Sequence, residues 1–188
     1  MQDVYTGKIF GIREFVRIVD KAVAGMMSYG KEIKLVDKNF RSLIMLAVTQ
    51  VNGCQYCSYV HTKQALKSGS SEEDLAQLME GDLAAADSSQ RMALLFAQHY
   101  ADTSGSYDAQ AYERLVESYG KDQAAGILAS IKMIMMGNAN GGAMSLFIDR
   151  LHGKRNKDSS LGTELVVFLG ILVILPAAFL KNLIIRSS

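Results

Sequence analysis

The two cysteines of this 188-residue chain stand together in Cys54-Gln55-Tyr56-Cys57, and His61 follows a helical turn later. On a helix, positions i, i+3 and i+7 fall within a band of roughly 60°, so the three side chains are expected to share one small cavity. Dithiol redox chemistry needs one thiolate to attack and a second thiol near enough to close a disulfide. A neighbouring imidazole can take the proton or, when charged, lower the thiol's pKa. Val51-Asn52-Gly53 breaks or begins a helix; as an N-terminus, its free N–H groups favour a thiolate on either cysteine. Two other readings compete. The cysteines can be small buried hydrophobes, with His61 merely hydrogen-bonded. They can also join His61 as three metal ligands with a water in the fourth position, although three ligands this close on one helix fit tetrahedral geometry poorly. Tyr56 and Tyr59 flank the motif as accessory candidates, through their hydroxyls or by aromatic packing. His99 and His152 stand apart from any ligand pattern and read as structural or exposed.

The elements that must position this motif are helical. Only Pro176 interrupts the chain as a proline, and Ala, Leu, Met, Gln and Glu recur at helical spacing over 11–29, 38–51, 54–68, 72–79, 88–101, 108–118, 121–137 and 143–152. Gly69-Ser70-Ser71 before Glu72-Glu73-Asp74 reads as a helix start with an acidic first turn. Thr103-Ser104-Gly105-Ser106 reads as a loop, and Gly137-Asn138-Ala139-Asn140-Gly141-Gly142 as a sharp turn that can also line the cavity. The fold class is all-α, a compact helical domain over 1–153, followed by a basic linker and a very apolar helix over 154–188. The methionines, including the Ile131-Lys132-Met133-Ile134-Met135-Met136 run, are read as core or subunit packing.

Leu165 to Leu180 is an uncharged apolar run of about 24 Å as a helix, short of the roughly 30 Å hydrocarbon core. Extension to residue 185 needs Lys181 and Asn182 near an interface, and Pro176 is expected to kink it. A helix buried on the domain or on another subunit and a marginal membrane anchor are both consistent with this segment. Twenty basic and 19 acidic side chains give a net charge of +1, which argues against nucleic-acid binding. No early apolar signal run follows Asp3. The expected location is cytoplasmic, with membrane association through residues 165–185 as the alternative.

The run from Phe40 to His61, followed by Ala65, Gly69 and the Ser71-Glu72-Glu73-Asp74 helix start, resembles the carboxymuconolactone decarboxylase superfamily and its alkyl hydroperoxidase (AhpD-like) branch. The resemblance is specific over residues 36–80 and extends more weakly to about residue 150. It implies a thiol-dependent peroxidase in which Cys57 attacks a small hydroperoxide, Cys54 resolves it as a disulfide, and His61 belongs to a proton relay. It also implies an external dithiol protein as electron donor and a homo-oligomer, and it calls for no cofactor and no metal. The branch carries a glutamate about twelve residues before the first cysteine; here that position is Ser42, so Glu32, Asp37 or another acid must substitute if the relay is complete. The retained cysteine pair favours redox over lactone chemistry. The alternative functions are a general thiol–disulfide oxidoreductase and a non-catalytic or redox-sensing helical oligomeric scaffold.

Overall fold

Short polar side chains start most of the helices by capping backbone N–H groups. Asp37 accepts from the amides of Asn39 and Phe40 at the head of α2 (Lys38–Asn52), and Ser71 from Asp74 at the head of α4 (Glu72–Met79). Asp87 and Asp108 do the same for α5 (Ser88–Asp102) and α6 (Ala109–Tyr119). The other helices are α1 (Ile12–Tyr29), α3 (Gln55–Lys67), α7 (Lys121–Leu151) and α8 (Leu161–Ser187), with a single 3-10 turn at Glu32–Leu35. This is a computed structural model describing residues 5–83 and 86–187, and among the described residues the fold is entirely helical.

Helix α7 is the central post. Its middle is apolar on almost every side, with Ile127, Ala129 and Ile131 fully buried, as a helix surrounded by others requires. It packs against α1, α2, α3, α5, α6 and α8. Methionines of the expected packing run behave accordingly: Met135 is buried, while Met136 packs on the core from its edge.

The expected turn at residues 137–142 does not form, because α7 runs straight through it to Leu151. Each glycine weakens a helix interior by about 1 kcal/mol relative to alanine, so the run reads locally as a break. Tertiary packing overrides this. A Cβ on Gly141 would stand 2.9 Å from Cys54 Sγ and 3.2 Å from Cys57 Sγ, and one on Gly142 would stand 2.5 Å from the Tyr5 hydroxyl. These glycines permit close approach rather than a change of direction.

The apolar C-terminal segment packs on the domain by one face, without a break at the proline expected to kink it. Helix α8 continues through Pro176, and it is neither buried nor detached. One face lies along α1 and α7, where Val167 and Ala178 are buried, and the opposite face is open, with Leu172 and Val173 about three-quarters exposed at 74% and 73%.

Candidate functional site

Gly53 ends α2 in the left-handed conformation (φ 69°), its N–H donating to the Thr49 carbonyl. A side chain is excluded there twice over, by the backbone angle and because a Cβ would stand 2.7 Å from Gly7 Cα. The N-terminal strand of chain crosses this turn and fastens it by donating the Lys8 amide to the Asn52 carbonyl at 2.8 Å. Cys54 therefore falls on the N-cap of α3, outside the helix proper, where its Sγ accepts the Cys57 N–H at 3.3 Å. Of the two ways to read Val51-Asn52-Gly53, the first is observed: it closes one helix, and the next begins at once.

Cys54 and Cys57 are joined by a disulfide with Cα atoms 5.3 Å apart. Both sulfurs lie against Gly141 of α7. A cleft of about 590 Å³ reaches Cys54 and is walled by Thr49, Ser58, Tyr59, Lys63 and Met79, but neither Cys57 nor His61 lines it. Cys57 instead belongs to the inward face of α3 with the fully buried Ala65. His61, one turn after Cys57, shares that face by helical geometry and is half-buried. Both cysteines are nearly covered, Cys54 at 1% and Cys57 at 7% exposure, and Cys54 is among the residues that line the cleft. Cys54 forms part of its floor.

Burial lowers the His61 pKa from its usual 6.5, because a charged ring would lose hydration. The imidazole is thus neutral near pH 7 and suited to accept a proton. Its Nδ1 is buried without a partner among the described residues.

The accessory candidates separate. Tyr59 walls the cleft, with the Lys63 ammonium 5.8 Å from its ring centroid. Tyr56 is 58% exposed and lies outside the cleft wall. Ser42 is buried, and its hydroxyl donates to the Lys38 carbonyl of its own helix at 3.0 Å. Neither acid considered as a substitute reaches the cleft. Asp37 is occupied as the cap of α2, where the backbone amides of Phe40 and Asn39 hold its carboxyl below the usual range. Glu32 lies in the 3-10 turn, whose backbone packs on Gly126, about 22 Å along α7 from Gly141 at 1.5 Å per residue. Among the described residues, no group of three His, Cys, Asp or Glu side chains is placed to hold a metal ion.

One contributor was expected at the cavity only as part of a turn, and another escaped the sequence reading. Gly141 forms the wall behind the disulfide. Behind the cleft, Thr49 Oγ1 donates to the Met45 carbonyl at 2.7 Å and stands 3.1 Å from Asn138 Oδ1, while Asn52 Nδ2 donates to Met135 Sδ at 3.2 Å. This buried polar strip ties α2 to α7 beneath the motif. Asn138 sat inside a run that read as a turn, so its only signal was an amide at helical spacing from other α7 residues.

Residues 19–99, which contain the cysteine motif, match the family model described as carboxymuconolactone decarboxylase family. The uncharacterized protein YdfG of Bacillus subtilis (strain 168) is 26% identical over 123 residues, covering 61% of this chain and 78% of that protein. No solved structure matches the chain.

Proposed function

We propose that the chain is a thiol–disulfide oxidoreductase in which Cys54 exchanges with an outside partner and Cys57 closes the internal disulfide. One observation carries this reading: the Cys54 sulfur caps α3 by accepting the Cys57 N–H, and Cys54 is among the residues that line the cleft. A helix N-terminus favours a negative charge on the capping sulfur. In the reduced chain, the Cys54 thiolate attacks one sulfur of a partner disulfide, forming a mixed disulfide and expelling a partner thiolate. Neutral His61 then takes the Cys57 proton, and the Cys57 thiolate attacks Cys54 Sγ. The internal disulfide forms, the second partner thiolate leaves, and two electrons have passed from the chain to the partner. An external dithiol reverses the sequence by attacking Cys54. Gln55 and Tyr59, both exposed, line the cleft that it enters.

The family match and the neutral imidazole beside Cys57 also favour a second reading, peroxide reduction. There the Cys57 thiolate attacks a hydroperoxide oxygen, breaking the O–O bond and becoming a sulfenic acid while the alcohol leaves. Cys54 condenses with the sulfenic acid, releasing water and forming the disulfide. The buried serine at position 42, in place of the carboxylate implied by the family resemblance, makes exchange the stronger reading.

Single-cysteine variants separate the two. With an aromatic disulfide as probe, Cys57→Ser should accumulate a mixed disulfide on Cys54, while Cys54→Ser should react far more slowly. Slow trapping by Cys57→Ser and fast trapping by Cys54→Ser would overturn the assignment of Cys54. With a small organic hydroperoxide, rapid thiol-dependent consumption and a Cys57 sulfenic acid in Cys54→Ser would establish the peroxidase instead.

A further inference from the structure

Helix α8 has 27 residues, and its most apolar window has a mean hydropathy of 2.4 with only 17% of that window buried. Its open residues Leu169, Leu172, Val173, Leu180 and Leu183 recur at helical spacing and form one stripe, roughly opposite the buried Val167 and Ala178. A continuous exposed apolar stripe of this length marks an interaction surface.

Charge identifies the occupant. Beside the stripe, α1 and α8 enclose an apolar cleft of about 470 Å³ whose charged lining is Arg13, Arg17, Lys181 and Asp20. Lys181 is paired with Asp20 at 2.8 Å. Arg13 and Arg17 are exposed and have no acidic partner among the described residues. The only acid in α8, Glu164, is buried against Arg150. An apolar stripe with an unneutralised cationic edge matches an anionic lipid surface, with acyl chains beneath and phosphates beside it. A second copy fits less well, because a two-fold contact across this face brings the cationic rims together.

The attachment of α8 decides between lying on the membrane and crossing it. Arg150 grips Glu164 through two hydrogen bonds of 2.7 and 2.6 Å. The Asn140 amide donates to the Val167 and Phe168 carbonyls at 3.0 and 2.9 Å, and Asp20 accepts from Asn182 at 3.1 Å as well as from Lys181. Crossing requires breaking these contacts or drawing α1, with its charges, into hydrocarbon. Pro176, on the open side, also leaves the Leu172 carbonyl without its helical donor; water at the headgroup level supplies one, and hydrocarbon does not.

We propose that the open face of α8, edged by Arg13, Arg17 and Lys181, docks in the plane of an anionic phospholipid surface without spanning it. This is independent of the chemistry assigned to the cysteines. The test is flotation of the full chain with phosphatidylglycerol-rich vesicles and with phosphatidylcholine vesicles, at low and high salt. Binding should require the anionic lipid, weaken with salt, and be lost in Leu172→Ser/Leu180→Ser. Arg13→Gln/Arg17→Gln should weaken it about 30-fold, from about fivefold per cation near such a surface. Circular dichroism of each variant should match the parent, since all four side chains are exposed. Three results would each overturn the proposal: equal, carbonate-resistant association with both lipids, which indicates a span; a solution dimer with no vesicle binding, which indicates a second copy; or binding indifferent to the arginine variant.

Discussion

Replacing Gly141 by alanine sets two effects of known size against each other. In a helix interior the change gains about 1 kcal/mol of propensity. At this position the new methyl must enter space bounded by Cys54 Sγ at 2.9 Å and Cys57 Sγ at 3.2 Å, and overpacking of this kind costs about 1–3 kcal/mol. Gly137 supplies the internal control, because it lies one helical turn earlier on α7 and its added Cβ would make only ordinary contact with Ile134 Cδ1 at 3.6 Å. Gly137→Ala should therefore stabilise the chain by about 1 kcal/mol, with Gly141→Ala about 1–3 kcal/mol below it. Guanidinium titration of the oxidised proteins at constant m-value measures this gap, and thermal midpoints should differ by about 2–4 °C per kcal/mol for a chain of this size. Opening the disulfide frees the Cys57 side chain to rotate, so the gap should narrow in the reduced proteins. Equal stabilisation by both substitutions would refute the claim that glycine is needed behind the sulfurs.

Two further expectations concern pH. The Arg150 hydrogen bonds hold the Glu164 carboxyl below its usual 4.5 despite its burial, with Ser159 assisting; this stabilisation is complete above about 4.5 and is lost as pH falls through the lower folded value. Acid titration of the thermal midpoint should show this loss in the parent, while Glu164→Gln should start less stable at neutral pH and lack that part of the acid transition. His61, neutral in the fold because burial lowers its pKa, should support closure of the internal disulfide at neutral pH and fail as pH drops through its folded value, below 6.5. Stopped-flow closure of a preformed Cys54 mixed disulfide should therefore slow in acid, and His61→Phe should be slow throughout without that inflection; a parent-like profile in the variant would remove His61 from the step.

The helix starts were legible because Asp37, Ser71, Asp87 and Asp108 act through bonds two or three residues away, within the reach of local sequence. The Cys-x-x-Cys pair was legible for the same reason. What the sequence concealed depends on partners distant in the chain. Gly141 looks like a helix breaker until the sulfurs, more than eighty residues earlier, are placed against it. The spacing of Cys54, Cys57 and His61 suggested three positions on one helix, yet Gly53 stops α2 so close to the motif that Cys54 becomes a cap and only the other two lie within α3. Helix α8 is apolar on every side, so its composition could not reveal which face α1 and α7 would cover.

In the proposed exchange, that one-residue displacement of Cys54 from the helix gives the two thiols different roles. A capping sulfur meets the amide end of α3 and is favoured as an anion, and Cys54 is among the residues that line the cleft. Cys57 stands in the first turn of the same helix, as its third residue. A desolvated, neutral His61 does not lower its pKa by charge, so the imidazole serves Cys57 as a proton acceptor when the internal bond closes. Attack from outside at Cys54 followed by closure from Cys57 requires only these local differences. Peroxide attack at Cys57 requires, in addition, a proton relay, and the carboxylate that the family resemblance implies for it is replaced by the buried Ser42.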